Sequence, residues 1–316
     1  MLFDRAMGSD FQPDAIWALY RQLNTLADQV DQTKILAAQP MVREFRSLKN
    51  PIALEQAEFR VFSQFGDDGI IQYIISRLSL AKSDRRFIEF GVENYRESNT
   101  RFLLLNDNWT GLVMDGSEDN VASIRSEALY WRNDVTALAR FITRDNINAI
   151  IQEAGFSGRL GILSVDVDGN DYWIWEAITV VDPAVVIVEF NGIFGSREAV
   201  TIPYQADFVR EKAHYSFLYW GTSLKALCFL AGEKGYLWIG CNSAGNNAYF
   251  VRGEYAAAFC QPSLPQGLVA AKFREGRDRT GNPNYVGQEK GFDLIKDLQV
   301  WDVIERKMRM VGDLLR

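Results

Sequence analysis

The middle of the chain alternates short apolar runs with longer stretches that have helical spacing. Short β-rich runs occur at 86–90, 111–115, about 128–131, 160–166 and 184–190, and helical stretches lie near 98–107, 118–127, 136–154 and 170–180. Each helical stretch is long enough for a right-handed crossover between two parallel strands. The alternation predicts an α/β fold, with a doubly wound, mostly parallel sheet and helices on both of its faces.

Two further apolar runs follow the fifth predicted strand, at 236–241 and 247–252. The connector between them, 242–247, consists of the turn-forming sequence Asn-Ser-Ala-Gly-Asn-Asn. Such a connector favours a β-hairpin. The predicted sheet is therefore seven-stranded, Rossmann-like, and closed by a C-terminal hairpin.

The two ends of the chain differ from this middle part. Residues 14–30 repeat apolar side chains at three- and four-residue spacing, with no strand candidate nearby, which predicts an amphipathic helix outside the sheet. It could serve as a lid or as an arm for a homo-oligomer. We expect an N-terminal helical extension (1–60), a ligand-binding domain (61–255), and a C-terminal tail (256–316) with a last helix near 291–314.

Composition narrows the range of partners and compartments. The 316 residues include 34 basic and 41 acidic ones, a net charge of −7, and no basic stripe interleaved with aromatics, so no nucleic-acid partner is expected. The three cysteines, Cys228, Cys241 and Cys260, lack metal-ligand spacing and suit a reducing compartment. With no apolar run of roughly 20 residues and no signal-type start, we expect a cytoplasmic protein without a membrane span.

Polar residues recur where the predicted strands end. In an open α/β sheet, ligands bind outside the carboxyl ends of the strands, so these residues are expected to share one site. They are Glu89 and Gly91 after the first strand, Asp115 and Gly116 after the second, Asp134 after the third, Asp166 and Asp168 after the fourth, and Glu189 and Asn191 at the fifth.

The first strand-end turn, residues 91–96, lacks the closely spaced glycines of a dinucleotide fingerprint. A single glycine after an acid instead suits a ligand with a ribose and an ammonium-bearing chain. Asp115 lies 26 residues after Glu89, where an acid accepts hydrogen bonds from ribose hydroxyls in related sheets. S-adenosylmethionine meets this description.

Five sequence blocks in this order resemble the class I S-adenosylmethionine-dependent methyltransferases, and within them the FkbM-type group, whose characterised members O-methylate sugars and other hydroxyl compounds. The resemblance spans roughly residues 63–252. It is carried by Ser63-Gln-Phe-Gly-Asp-Asp-Gly69, Phe87-Ile-Glu-Phe-Gly91, Leu112-Val-Met-Asp115, Leu163-Ser-Val-Asp166-Val-Asp168-Gly169 and Val186-Ile-Val-Glu189-Phe-Asn191.

The resemblance implies a set of cofactor-binding residues. Residues of the first two strand ends would contact the methionine and ribose parts, and Asp134 with Val135 would flank the adenine. The first turn has one glycine where the family usually has two or three, so Asn99 or Thr100 at the next helix start would contribute. The implied set is Glu89, Gly91, Asn99, Thr100, Asp115, Gly116, Asp134, Val135 and Asp166.

The acidic segment 166–171 has three interpretations. Asn170 or Asp171 could cap the following helix, with a turn before it. Alternatively, Asp166 could join Glu189 and Asn191 in an oxygen-only set for Mg²⁺ or Ca²⁺, a placement similar to the divalent site of catechol O-methyltransferase. In the third interpretation, Asp166 or Asp168 acts directly on the substrate hydroxyl.

His214 is the only histidine in the chain, and it follows the fifth strand among aromatic residues. Its ordinary pKa range suits a general base that removes a hydroxyl proton. A lone histidine among aromatics is also common as a packing residue. The catalytic candidates are therefore His214 and Asp168.

These observations predict an enzyme that O-methylates a sugar or another small natural product. One alternative is an inactive nucleoside-binding module assembled through the N-terminal helix. Another is a nicotinamide-dependent oxidoreductase, which the missing glycines oppose. The acceptor stays open, because the 192–222 loop and the 253–290 tail show no readable chemistry.

Overall fold

The computed structural model describes residues 13–264, 269–272 and 274–315. In this part of the chain the helices are α1 (Pro13–Ser47), α2 (Asp67–Arg77), α3 (Arg101–Asp107), α4 (Glu118–Ser126), α5 (Ala128–Arg132), α6 (Ile147–Glu153), α7 (Asp171–Ala177), α8 (Arg210–Ala213), α9 (Leu224–Glu233) and α10 (Gln288–Ile295). The strands are β1 (Arg86–Phe90), β2 (Thr110–Asp115), β3 (Val135–Ala139), β4 (Gly158–Val165), β5 (Val181–Glu189), β6 (Val200–Thr201), β7 (Tyr236–Cys241), β8 (Asn247–Arg252), β9 (Gln299–Asp302) and β10 (Lys307–Met310).

The main sheet has seven strands in the order β3-β2-β1-β4-β5-β8-β7. Strands β1 to β5 run parallel, and β8 pairs antiparallel with both β5 and β7. The predicted mostly parallel sheet with its C-terminal hairpin is confirmed. The strand order reverses between β1 and β4, so their carboxyl ends leave a crevice where ligands bind in such sheets.

The core lies on both faces of the sheet because successive strand residues point to opposite sides. In β1, Ile88 packs with the apolar faces of α6, α7 and α9, whereas Phe87 packs with those of α2, α3 and α4. Both side chains are fully buried. The predicted helix layers on both faces are therefore confirmed, and the sheet forms a rigid support for its carboxyl edge.

The third predicted strand was wrong. Residues 128–131 lie in α5, and β3 occupies 135–139, which we had assigned to a helix. The aromatic content of 128–132 imitates a strand, although Leu129 is the one buried residue of α5. The alanine-rich segment 135–139 has helix-forming residues, but hydrogen bonding to β2 makes it a strand.

The last predicted helix was also wrong in extent. Helix α10 ends at Ile295, and β9 and β10 follow as an antiparallel hairpin. Strand β9 pairs with β6, so a second sheet, β10-β9-β6, ties the C-terminal part to the connection after β5. Arg309 of β10 forms ion pairs with both Glu198, just before β6, and Asp302 of β9, at 3.0 Å each.

Helix α1 lies outside the sheet, as predicted. Its C-terminal half packs on the body through Ala38, Val42 and Phe45, which are buried. Among the described helices, none combines the length and the apolar character that crossing a bilayer requires.

Candidate active site

The carboxyl ends of β1, β2, β4 and β5 surround a cleft of about 400 Å³. Eight of its lining residues are acidic and two, Arg140 and Arg210, are basic. Such a lining favours a ligand with positive charge. The lining residues are Gln64, Glu89, Phe90, Gly91, Glu93, Glu97, Ser98, Asn99, Met114, Asp115, Gly116, Arg140, Phe141, Ile142, Asp166, Val167, Asp168, Asn170, Glu189, Phe208, Arg210, Asn246, Asn247 and Glu275.

Gly91 allows the chain to leave β1 next to the end of β4. Its φ is +70°, and a Cβ at this position would lie 1.8 Å from the backbone oxygen of Asp166. Its amide donates to the carbonyl of Met114 at 2.9 Å. Only glycine fits this turn without strain. Gly91 is therefore needed for the backbone conformation and for the close approach to Asp166.

Most of the acceptor positions of Glu89 are used within the protein. Its carboxylate accepts hydrogen bonds from Ser98 Oγ (2.9 Å), the amides of Asn99 (2.8 Å) and Thr100 (3.1 Å), and the Thr100 hydroxyl. Three of these hydrogen bonds reach Oε2 and one reaches Oε1, so one acceptor position remains on Oε1. Burial raises the pKa of Glu89. Glu89 therefore orders the loop before α3, and because it lines the cleft it stays a predicted cofactor ligand through Oε1.

The two candidates at the start of α3 differ in their position. Thr100 is fully buried, bonded to Glu89 and to the Tyr95 hydroxyl at 3.0 Å, and it is not in the cleft wall. Its assignment as a cofactor ligand was wrong because its hydroxyl belongs to this buried network. Asn99 lines the cleft, and its side-chain amide donates to Ser164 Oγ at 3.1 Å.

Asp115 lies in the cleft wall at the end of β2, as predicted. Its Oδ1 accepts from the Ser117 amide (2.8 Å) and the Asn120 side chain (3.0 Å), and its Oδ2 accepts from the Glu93 amide (2.8 Å). A carboxylate has about four acceptor positions, so one position on Oδ2 remains. Gly116, the next residue, also lines the cleft.

Asp134 and Val135 lie at the opposite edge of the sheet. Asp134 directly precedes β3 and Val135 is its first residue, so both lie at the amino end of the strand. There the Asp134 carboxylate accepts a hydrogen bond from the Thr110 hydroxyl at 2.7 Å. Their assignment to the adenine was wrong because the third strand was misplaced. The carboxyl end of β3 instead presents Arg140, Phe141 and Ile142, which line the cleft.

Phe141 is the apolar surface that the sequence assignment missed. Its ring is 52% exposed and lies in the cleft wall. A Cβ on Gly116 would be 3.8 Å from its ring carbon Cδ2. An exposed ring beside a glycine offers a flat aromatic base a face on which to stack.

Three carboxylates meet where β4 and β5 end. Oxygens of Asp166, Asp168 and Glu189 lie within 4.8 Å of one another. Glu189 is more than nine-tenths buried, and its Oε2 has no hydrogen-bond partner. Burial first, and neighbouring carboxylates second, raise the pKa of both Asp166 and Glu189 well above the usual range. The cluster is therefore suited to hold a proton or a cation.

Asn191 was predicted as a metal ligand, and the structure does not support that assignment. Its side-chain nitrogen donates to the carbonyls of Leu218 and Trp220, both at 3.0 Å, and its Oδ1 accepts from the Ile193 amide. Asn191 thus stabilises the loop after β5. The third oxygen beside Asp166 and Glu189 comes from Asp168 instead.

Arg210 connects the cleft to the C-terminal part of the chain. Its guanidinium bonds Asp168 at 2.8 Å, Glu275, and the Phe217 carbonyl at 2.8 Å. It also lies 4.5 Å from the centre of the Trp220 ring. Neither Arg210 nor Glu275 has a local sequence signal, because the partners are 42 and 65 residues from Arg210.

Asp171 holds the turn before α7, whereas Asn170, the residue that precedes the helix, makes no side-chain capping hydrogen bond. Its carboxylate accepts from the amides of Val167 (2.9 Å) and Gly169 (3.0 Å), within the loop before α7. Burial raises the pKa of Asp171 to about 7. Asn170 instead donates to the Gln205 carbonyl at 2.8 Å.

The shift of Asp171 predicts how stability changes with pH. The folded protein binds the proton of Asp171 more tightly than the unfolded chain does. Protonated Asp171 therefore adds its full contribution to the free energy of unfolding below pH 3.8, and this contribution is lost as the pH rises to about 7. Over this range the free energy of unfolding should fall by at most about 1.4 kcal/mol per pH unit because of Asp171. Urea unfolding of the wild type and Asp171→Asn across this range measures it. Parallel pH profiles for the two proteins would contradict the assignment.

His214 is not among the residues that line the cleft. Its Nδ1 lies 2.7 Å from Ser216 Oγ, and its ring packs against Tyr215. Burial, with a smaller effect of Arg279, lowers the pKa of His214. The position of His214 therefore gives no support to its predicted role as general base, and the preceding helix α8 instead turns Arg210 toward the cleft.

Comparisons with known proteins add a fold-level observation. No family model matches the sequence, and no curated protein does so. Among solved structures, the N-terminal domain of EvdMO1 with SAH bound is 10% identical, with a TM-score of 0.39, over 67% of this chain and 94% of that one. A S-adenosylmethionine-dependent methyltransferase from Clostridium acetobutylicum is 10% identical, with a TM-score of 0.39, over 59% and 90%. Similarities this distant do not assign a function to this chain.

Proposed function

We propose that this protein is an S-adenosylmethionine-dependent methyltransferase. The observation that carries the proposal is Asp115, an acid at the end of β2 with one free acceptor position, inside an acidic cleft at the switch point of the sheet. An acid at this position accepts hydrogen bonds from a ribose in nucleoside-binding α/β sheets. Membership in the FkbM-type group remains a prediction.

The residues of the cleft fit the three parts of this cofactor. The remaining position on Asp115 suits a ribose hydroxyl, and Phe141 with Ile142 offers an apolar surface for adenine. The excess of acidic over basic lining residues suits a ligand with a sulfonium and an ammonium group. Asn99, Gly91 and Gly116 complete the wall around the methionine part.

The finer proposal is O-methylation of a hydroxyl on a sugar or another small natural product. The bound cofactor supplies an electrophilic methyl group. The protein has to align the acceptor oxygen with it, which is the main contribution to the rate. It must also take up the hydroxyl proton, for which carboxylates with raised pKa values are suited.

Asp166 and Glu189 are the residues we assign to that proton. Their raised pKa values make the carboxylate form of either residue a stronger base than an ordinary carboxylate. Asp168 forms an ion pair with Arg210, so we assign it the role of positioning Asp166 and Glu189.

The same carboxylates also fit a divalent cation. Oxygens of Asp166, Asp168 and Glu189 form a hard, anionic donor set, and the unpartnered Glu189 Oε2 needs a proton or a cation. Bound Mg²⁺ would lower the pKa of an acceptor hydroxyl. Mg²⁺ is thus a proposed addition to the cofactor, held by these three residues and not by Asn191.

Calorimetric titration of the purified chain tests the proposal directly. We expect S-adenosylmethionine and S-adenosylhomocysteine to bind with one site per chain, because both contain the ribose, the base and the amino-acid tail. NADH serves as the comparison, since the turn after β1 lacks the glycines that a pyrophosphate requires. A folded sample that gives no heat with either sulfur compound would refute the proposal.

The acceptor is identified by a screen for S-adenosylhomocysteine release. Sugars, polyketide hydroxyls and lipid head groups are the first candidates, each tested with and without Mg²⁺. Cofactor binding without turnover on any of them would leave the binding site supported and would favour the inactive nucleoside-binding module.

A further inference from the structure

The N-terminal half of α1 has an apolar stripe that the body of the protein does not bury. Ile16, Leu19, Leu23, Leu26 and Val30 follow one another at spacings of three and four residues. Each is between 46% and 56% exposed. This spacing is the heptad pattern of helices that pack against other helices.

A different side of α1 faces the body. Asp28 and Asp31 form ion pairs with Arg132 and Arg101, both at 3.4 Å. Further along the helix, the buried Ala38 and Val42 continue this side. The body therefore orients α1 and leaves the stripe (Ile16, Leu19, Leu23, Leu26 and Val30) outward.

We infer that this stripe is the interface of a homodimer, in which two α1 helices form a short parallel coiled coil. Placing Ile16, Leu23 and Val30 at heptad position a puts Leu19 and Leu26 at position d. β-branched residues at a with leucine at d favour two parallel strands. Two of the three a positions and both d positions follow that preference.

The charges beside the stripe are compatible with self-pairing. In a parallel pair, position g of one helix faces position e of the partner in the next heptad. Here Gln22 would face Ala27, and Gln29 would face Lys34, so no like charges meet. The net charge of −7 per chain opposes binding to other acidic surfaces, but no pair of like charges along the stripe opposes a second copy.

A lipid surface is the competing partner, and the charges disfavour it. Helices that lie on membranes usually have lysine and arginine on the polar face. Residues 13–31 contain one basic residue, Arg21, and three acidic ones, Asp14, Asp28 and Asp31. A second copy of the chain therefore fits the stripe better than an anionic bilayer does.

The area of the stripe sets the expected strength of the dimer. Five half-exposed side chains per chain cover less than the roughly 800 Å² per partner of a standard interface. We therefore expect a dissociation constant in the micromolar range. Added salt should strengthen or leave unchanged the association of two negatively charged chains.

Sedimentation equilibrium of the full chain tests this inference. The mass should rise from 35.9 kDa toward twice that value as the concentration increases from about 1 to about 200 µM. The variant Leu23→Glu with Leu26→Glu should remain a monomer throughout. The control Thr25→Glu with Gln32→Glu adds the same charge to the same helix outside the stripe, and it should dimerise like the wild type.

Three outcomes would overturn the inference. They are a wild-type monomer at every concentration, equal dimerisation by the stripe variant and the wild type, and loss of the dimer in the control. Circular dichroism confirms that each variant is folded. Binding of a monomeric wild type to phosphatidylcholine or phosphatidylserine vesicles would assign the stripe to lipid instead.

Cross-linking tests the parallel alignment separately. In a Cys260→Ala background, which removes an exposed thiol, Ile16→Cys should form a disulfide-linked dimer under mild oxidation. Gln32→Cys, outside the stripe, should not. Absence of the Ile16→Cys cross-link in a chain that still dimerises would refute the parallel arrangement.

Discussion

Replacing Glu189 by glutamine is expected to reduce methyl transfer by about 100-fold or more, the usual contribution of a positioned acid or base. Glutamine retains the size of the side chain but cannot take up the hydroxyl proton or supply an anionic metal ligand. Affinity for S-adenosylmethionine, measured by calorimetry, should change little. The rate of S-adenosylhomocysteine release gives the activity, once an acceptor is known.

A matched control separates the role of Glu189 from the charge of the cleft. Glu93→Gln also removes one negative charge from the cleft wall, but it leaves the cluster of Asp166, Asp168 and Glu189 intact. We expect it to retain most of the activity. Equal losses in the two variants would show that only the overall charge matters.

Chelation distinguishes the proton from the metal. If the carboxylate cluster holds Mg²⁺, activity of the wild type should disappear in EDTA and return with added Mg²⁺, and Glu189→Gln should require more of the ion. Full activity in EDTA would show that methyl transfer needs no metal ion, and the carboxylates would then act as the base. In that case, the pH profile of the wild type should report the raised pKa values of Asp166 and Glu189.

Replacing Asp115 by alanine is expected to weaken binding of S-adenosylmethionine by about 1–3 kcal/mol, the cost of leaving a polar partner unsatisfied. This corresponds to a roughly 5- to 150-fold higher dissociation constant. The reason is the single free acceptor position on Asp115 Oδ2. Calorimetric titration measures it, and an unchanged affinity would contradict the ribose assignment.

Asn120→Ala is the matched control for Asp115. It removes one internal hydrogen bond to Asp115 Oδ1 but retains the carboxylate. We expect an affinity within a few-fold of the wild type, because the acceptor position on Oδ2 is untouched. A loss as large as that of Asp115→Ala would mean that the order of the loop, and not the carboxylate, decides binding.

Much of this fold could be predicted because its strands are local and strongly apolar. Strands β1, β2, β4 and β5 each form a short buried run. Gly91 and Asp115 follow such runs directly, so the sequence places them at the carboxyl edge. The hairpin β7–β8 was predictable for the same reason, since its connector consists of turn-forming residues.

Other elements depended on contacts between distant parts of the chain. Strand β3 consists largely of helix-forming residues, and only pairing with β2 makes it a strand. Strand β9 forms because β6, about a hundred residues earlier, offers an edge to pair with. No local pattern in the sequence shows which segments pair in this way. Because β3 was placed too early in the chain, Asp134 and Val135 were assigned to the carboxyl edge of the sheet instead of its amino edge.

The sequence by itself determined strands β1, β2, β4 and β5, the β7–β8 hairpin, the acidic carboxyl edge and the helix outside the sheet, because the apolar patterns that specify these features are local. Tertiary structure decided which polar groups remain available. It gives Glu89 four hydrogen bonds within the protein, uses Asn191 in a loop, turns Arg210 toward the cleft, and leaves Glu189 Oε2 without a partner. Hydrogen-bond partners are set by three-dimensional proximity, so only the folded chain shows which acids are free to act.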